Sequence, residues 1–145
     1  MPHRRQEIRQ AVVAVLTGLV TTQGRVYSGR VYPSGTANLP GLNITTPIDR
    51  KSPTFSANRK AQVRELTVQI DARVKPADGG PSPQDQMDTI EFEVQAALMA
   101  DATLGGLALR GAPGDSTFTL SGKAERPAGV AQIEWICEYL VDWTT

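Results

Sequence analysis

The chain has 145 residues, with 15 lysines and arginines against 15 acidic residues, so its formal net charge is zero. With 40% hydrophobic and 21% charged residues and no apolar run of roughly 18 residues, it is predicted to be one soluble domain spanning residues 1–145. The single cysteine, Cys137, excludes an intrachain disulfide and cysteine-rich metal sites, and the single histidine, His3, makes a histidine-based hydrolase improbable.

The charges are distributed very unevenly along the chain. Residues 1–75 hold 12 basic and 4 acidic side chains, a net charge of +8, whereas residues 76–145 hold 3 and 11, a net charge of −8. Three interpretations of this distribution remain open at this point. The charges are exposed to solvent and their separation has no role, or the fold interleaves the two halves, or the charges form opposite patches that suit head-to-tail association between identical copies.

The first predicted element is an amphipathic helix over residues 7–20, with Gly24 as the stop. Its apolar residues recur at spacings of 3 and 4, as expected for a helix that covers a sheet: Ile8, Val12, Val15, Leu16 and Leu19. Short strands are predicted next at about residues 25–32 and 41–45, on either side of a turn-forming stretch.

Residues 46–63 have no clear period, contain Pro47 and Pro53, and concentrate positive charge. These features predict a long basic loop of the kind that is usually mobile or functional. Five of its side chains are predicted to contact a partner: Arg50, Lys51, Phe55, Arg59 and Lys60. Residues 65–74 then alternate strictly between apolar and polar side chains, which makes this the clearest strand in the sequence.

A second helix is predicted to start with Ser82 as its N-cap and Pro83 as its first residue. Its buried stripe is predicted to comprise Met87, Ile90, Val94, Ala97 and Leu98. Four further residues on this helix are candidate partner contacts. Asp85 and Asp88 lie near its start, and Phe92 and Met99 lie on its otherwise polar side, where either a neighbouring subunit or the loop at residues 104–107 could cover them.

The C-terminal third is predicted to contain a turn at residues 111–115, a short β segment at residues 117–121 and a long alternating strand at residues 130–143. Cys137 falls on the apolar face of that strand, which favours a core residue over a reactive thiol. Trp143, at its end, is another candidate partner contact.

The order of elements predicts an α+β fold: a mostly antiparallel or mixed sheet of about four main strands, two helices packed on one face, a short β hairpin and a long basic loop. The other face of the sheet is then polar, and it either faces bulk solvent or lines a water-filled space. Its residues would include Gln69, Asp71, Arg73, Glu134 and Glu138.

The sequence contains none of the common motifs for catalysis, phosphate binding or metal binding. It has no glycine-rich phosphate loop, no HExxH, no GxSxG and no CxxC. Carboxylate pairs such as Asp85 with Asp88, or Glu134 with Glu138, are solvated far more often than they act as acid and base. We therefore expect no catalytic residue, no metal and no cofactor, and a protein that is not an enzyme.

The order of elements resembles the tail terminator or tail-completion proteins, also called minor tail proteins, of long-tailed bacteriophages. The resemblance covers nearly the whole chain. It rests on the N-terminal helix at residues 7–20, the Leu39-Pro40-Gly41-Leu42-Asn43-Ile44 step into a strand, the strand at residues 65–74 ending near Pro76, the helix after Ser82 and the closing strand at residues 131–142.

The resemblance implies a structural virion protein at the head-proximal end of the tail, assembled in the host cytoplasm. In this family such a protein forms a ring, a hexamer, on the end of the tail tube, ends tube polymerisation and joins the tail to a neck or head-completion protein. DNA would pass through the lumen without specific binding, along the polar sheet face, and no membrane is involved. The alternatives are a head-closure or neck protein, a tail tube subunit and, from a different class, a small α+β ligand-binding or enzymatic domain.

Overall fold

The computed structural model describes residues 3–29, 40–51, 61–75, 79–120 and 129–142. Two helices, α1 and α2, and five strands, β1 to β5, lie within these residues. The strands form one sheet in the order β1-β2-β3-β5-β4, in which β1 and β2 are parallel and all other neighbours are antiparallel. The predicted α+β class with a mixed sheet is therefore confirmed. The elements are α1 (Arg4–Leu16), β1 (Val26–Ser28), β2 (Gly41–Lys51), β3 (Ala61–Val74), α2 (Pro83–Ala100), β4 (Arg110–Leu120) and β5 (Gly129–Asp142).

Both helices begin with a side-chain cap. The Ser82 side chain accepts a hydrogen bond from the backbone N–H of Asp85, and Pro83 opens α2, as predicted. Nδ1 of His3 accepts from the backbone N–H of Arg5 at the start of α1. Helix α1 ends at Leu16 instead of about residue 20, because Gly18 takes a φ of +97°, a backbone conformation that a helix cannot continue through.

The core lies between the helices and one face of the sheet. On β3 and β5, residues in register share a face, so that Leu66 lies opposite Cys137 and Ile70 opposite Ile133, all of them buried. The helices cover this face with their fully buried residues, which are Ile8, Val12 and Leu16 of α1 and Met87, Ile90, Val94 and Leu98 of α2. Each such side chain contributes roughly 1.5–3 kcal/mol of apolar burial, so this layer is the main source of stability.

Strands occupy both ends of the segment predicted as a loop, residues 46–63. Strand β2 extends to Lys51 and β3 begins at Ala61. The register between these strands shifts between Thr45 and Ile48, around Pro47, which supplies no N–H to the ladder and is tolerated at such an irregularity. That shift breaks the alternation, which explains why the sequence pattern revealed only the first half of β2, at residues 41–45.

Strand β4 corrects a second prediction. The glycine- and proline-containing residues 111–115 are not a turn between elements but part of the 11-residue β4, which pairs with β5. The register shifts between Pro113 and Ser116, so the turn-forming residues lie at a bulge within the strand. Residues 110–120 therefore form one long strand antiparallel to β5 instead of a turn and a short β segment.

Glycine is required at residue 111 by the packing of Trp135. A Cβ atom on Gly111 would lie 2.7 Å from Nε1 of Trp135 and 3.0 Å from the carbonyl oxygen of Ala102. Gly111→Ala is therefore expected to lower the free energy of unfolding by about 1–3 kcal/mol, measured by urea denaturation. The matched control is Gly24→Ala, where the added Cβ meets no atom within 4 Å. Equal denaturation midpoints for the two variants would contradict the predicted clash.

Candidate functional site

The outer side of α2 brings together four of the predicted contact residues. Asp85, Asp88, Phe92 and Met99 are spaced so that they fall on the helix side opposite its buried residues, and all four are exposed. Phe92 is 75% exposed and Met99 55% exposed. The alternative that residues 104–107 cover these two side chains is wrong, because Leu104 turns into the core, where it is 3% exposed. We call this surface the α2 outer face.

A second surface is the helix-free face of the sheet, which carries the side chains of β2 to β5 that point away from the helices. The alternation of β3 and β5 brings all five predicted lumen residues onto it, as their register shows: Gln69 lies opposite Glu134, Asp71 opposite Gln132, Arg73 opposite Val130, and Glu138 opposite Glu65. The Nε2 of Gln69 also donates to Asp71 at 2.9 Å. Their sharing of one face agrees with the prediction, whereas their place in a lumen stays a prediction.

A row of four charges crosses this helix-free face. Glu65 and Glu138 lie directly opposite each other on β3 and β5, where two carboxylates repel. Arg50 of β2 lies beside Glu65, with Nε 3.6 Å from the carboxylate, and Arg110 of β4 forms an ion pair with Glu138. Each carboxylate therefore has a guanidinium on its outer side, and the row is electrically balanced within one subunit.

The helix-free face is less polar than the sequence predicted. Ile48 and Leu140 are each 43% exposed, and Glu138 is 9% exposed instead of free in solvent. An open cavity of about 300 Å³ lies over the β4–β5 end of the charge row, lined by Glu65, Arg110, Gly111, Ala112, Pro113, Ile136 and Glu138. Its floor is thus part apolar and part ionic.

The sheet separates the two kinds of charge. Helix α1, β1, β2 and their connections, residues 3–29 and 40–51, hold 6 basic and 2 acidic side chains. Helix α2, β4, β5 and their connections, residues 79–120 and 129–142, hold 1 basic and 9 acidic ones. Helix α1 packs on β1 and β2, and α2 packs on β3, β5 and β4. The described part of the chain therefore has a basic end at β1–β2 and an acidic end at β5–β4, and its halves are not interleaved around the sheet.

A polar cluster on the helix-covered side holds α1 to the sheet. The carboxylate of Asp49 accepts hydrogen bonds from Arg5 at 2.7 Å, Arg64 at 2.8 Å and the hydroxyl of Tyr139 at 2.5 Å. The ring of His3 meets that of Tyr139 edge-on, with centroids 6.3 Å apart. Sequence reasoning missed this cluster, because Arg5 and Tyr139 lie 44 and 90 residues from Asp49 along the chain.

The pKa values in this cluster are shifted in opposite directions. Burial alone would raise the pKa of Asp49, but the hydrogen bonds from Tyr139, Arg64 and Arg5 outweigh it and hold that pKa below its ordinary value. Burial, and then the hydrogen bond to Asp49, raise the pKa of the Tyr139 hydroxyl. The cluster is thus an ionised carboxylate that accepts hydrogen bonds from one neutral and two cationic donors. Such an arrangement stabilises the fold.

Cys137 is a core residue, as predicted. It is 1% exposed, and burial, followed by the charge of Asp49, raises the pKa of its thiol to about 12. A thiol with that pKa is almost entirely protonated at neutral pH, and the thiolate is the nucleophile. The predicted contacts Phe55, Arg59, Lys60 and Trp143 lie outside the described residues.

Within the described ranges, no three His, Cys, Asp or Glu side chains are grouped as metal ligands. No described helix has the length and apolarity needed to cross a membrane. No protein-family model matches the chain, and no curated protein shows significant similarity to it.

Proposed function

We propose that this chain is a structural virion protein that forms a ring on the end of a bacteriophage tail tube, ends tube polymerisation and provides the joint to the neck. It works without a reaction centre. The observation that carries the proposal is the separation of charge across the sheet, with a basic end at β1–β2 and an acidic end at β5–β4.

A closed ring requires a heterologous interface, in which two different surfaces of each subunit meet. Opposite charges at opposite ends of one sheet fit that geometry, because each acidic end attracts the basic end of the next copy. Exposed ion pairs contribute only about 0–1 kcal/mol each and are screened by salt, so they set orientation and register. Apolar side chains such as Phe92 and Met99 on the α2 outer face supply contacts that are less sensitive to salt.

The charge-balanced, helix-free face suits the lumen in this proposal. Arg50 and Arg110, the two arginines of its charge row, are each beside a glutamate of the same subunit. Compensated arginines offer DNA phosphates less net attraction than a basic surface would, so a duplex slides past without being held.

The proposal is tested with purified protein by multi-angle light scattering and electron microscopy, with and without isolated tail tubes. We expect a ring whose mass is a small multiple of 15.6 kDa, which binds tube ends and loses affinity between low and high salt. Polymers that grow without limit would identify a tube subunit instead. Binding to neck proteins but not to tube ends would indicate a head-closure protein, and monomers that bind neither would contradict the proposal.

A second candidate, a small ligand-binding domain, is favoured by the cavity at Ile136 and Glu138. A small molecule that raises the melting temperature of the isolated chain, and fails to do so in Ile136→Trp, would support that function. We favour the ring because both glutamates that line the cavity already have an arginine beside them.

A further inference from the structure

Strand β4 lies at the end of the sheet and pairs with β5 alone among the described strands. The features that normally prevent an edge strand from pairing with another chain are charges, proline and bulges. In β4 these features are confined to its first half, at Arg110, Pro113, Asp115 and the register shift before Ser116. Residues 116–120, Ser-Thr-Phe-Thr-Leu, have none of them and remain in continuous register with β5.

Four of these five residues are open to solvent. Residues 117–120 are all exposed, and Phe118 and Leu120, on the helix-covered side of the sheet, are 37% and 55% exposed. The strand therefore offers an unprotected backbone edge with two apolar side chains, which is the combination that receives an added strand.

The charges indicate which surface covers this edge. Two β4 edges meeting each other would bring two acidic ends together, each with 9 acidic and 1 basic side chains among the described residues. The opposite end of the sheet is β1, which pairs with β2 alone among the strands that the structure describes and belongs to the basic end. A β4 edge against a β1 edge joins opposite charges and uses two different surfaces of the same chain.

We infer that residues 116–120 of β4 pair by β-strand addition with the β1 side of a second copy of this chain, so that the sheets of neighbouring subunits are joined edge to edge. This inference rests on the proposed function for its premise that copies associate head to tail around an axis. It adds that backbone hydrogen bonds at β4, supported by Phe118 and Leu120, hold the subunits together, while the charged ends select the partner.

The test uses the double variant Thr117→Lys/Thr119→Lys. Both side chains are exposed and point to the helix-free side, so the fold and melting temperature are expected to stay unchanged. Lysine on an edge strand opposes strand addition, and here it also opposes the basic end of the next copy. We expect association at least about 10-fold weaker than in the wild type by light scattering. The matched control is Gln6→Lys/Gln10→Lys, which adds the same charge at exposed positions of α1, on the end that is already basic and away from both β4 and the α2 outer face, and is expected to assemble normally.

Hydrogen exchange reports on the pairing directly. In wild-type rings, the amides of residues 116–120 that point away from β5 are expected to exchange at least about 10-fold more slowly than in the monomeric lysine variant. Wild-type rings whose β4 amides exchange as fast as those of the monomer would overturn this inference and leave the proposed function intact. So would a Thr117→Lys/Thr119→Lys variant that assembles like the wild type. A wild-type chain that never associates would overturn both.

Discussion

Asp49→Ala is expected to lower the free energy of unfolding by about 3 kcal/mol. The substitution leaves the buried Tyr139 hydroxyl without its acceptor, and it leaves Arg5 and Arg64 facing each other without the anion between them. The side chains of Arg5 and Arg64 are 41% and 27% exposed, so water takes over part of their solvation. For that reason the expected loss lies at the lower end of the range for broken buried ion pairs. Urea denaturation of the two proteins measures it.

Two further variants test whether the loss belongs to the cluster. Tyr139→Phe removes one donor and is expected to cost about 1 kcal/mol, with a non-additive effect in combination with Asp49→Ala because the two groups share one hydrogen bond. Arg50 follows Asp49 in sequence but forms a separate, exposed ion pair with Glu65. Arg50→Ala removes that pair and is expected to change the free energy of unfolding by less than about 1 kcal/mol. If Asp49→Ala costs no more than Arg50→Ala, the cluster does not hold α1 to the sheet.

The same cluster makes stability depend on pH. The pKa of Asp49 is lower in the folded chain than its ordinary value of about 3.9, so the folded state favours the ionised carboxylate. Its contribution is complete above the unfolded pKa and is lost as the pH falls through the folded one. The difference in unfolding free energy between the wild type and Asp49→Ala is therefore expected to be constant from about pH 5 to 8 and to shrink below about pH 4. An unchanged difference at pH 3 would contradict the assignment.

A mixing experiment is expected to separate the two ends of the subunit. The triple variant Lys51→Gln/Arg59→Gln/Lys60→Gln neutralises three cations of the sequence segment that follows the bulge in β2, and leaves the β4 edge intact. The double variant Thr117→Lys/Thr119→Lys does the reverse. Each variant alone is expected to associate about 10- to 100-fold more weakly than the wild type, because up to three surface pairs or the strand edge are lost.

Mixed in equal amounts, these two variants can form one intact interface. The triple glutamine variant supplies its β4 edge, and the double lysine variant supplies its basic end. We therefore expect heterodimers, with twice the 15.6 kDa mass of one chain, that stop there instead of closing into a ring. Light scattering with one variant tagged measures the composition. Rings from the mixture, or homodimers of either variant alone, would show that the interface does not join two different surfaces.

Much of the fold followed from periodicity. The buried stripes of both helices and the alternation of β3 and β5 were predictable because each element buries one face against a single core, so that apolar spacing records secondary structure directly. The N-cap at Ser82 was predictable from local chemistry alone. The first half of β4 and the second half of β2 were not, because the register shifts near Pro113 and Pro47 disturb the alternation on which a strand prediction depends.

Of the candidate surfaces, some were predictable from the sequence and others were not. The α2 outer face was predictable, since helical spacing places Asp85, Phe92 and Met99 on one side whatever the rest of the chain does. The row that joins Arg50 to Glu65 and Arg110 to Glu138 could not be read from the sequence, because register across strands decides which side chains meet. The Asp49 cluster was hidden for the same reason, since Tyr139 lies 90 residues away along the chain.

The amino-acid sequence by itself determined the two helices, the principal strands and the division of charge between the halves of the chain, because these depend on composition and on contacts between near neighbours. Only the tertiary structure decided that the two charged halves lie at opposite ends of one sheet and that, among the described strands, residues 116–120 of β4 form an unprotected edge. Both outcomes depend on the strand order β1-β2-β3-β5-β4, which is set by pairing between residues far apart in sequence.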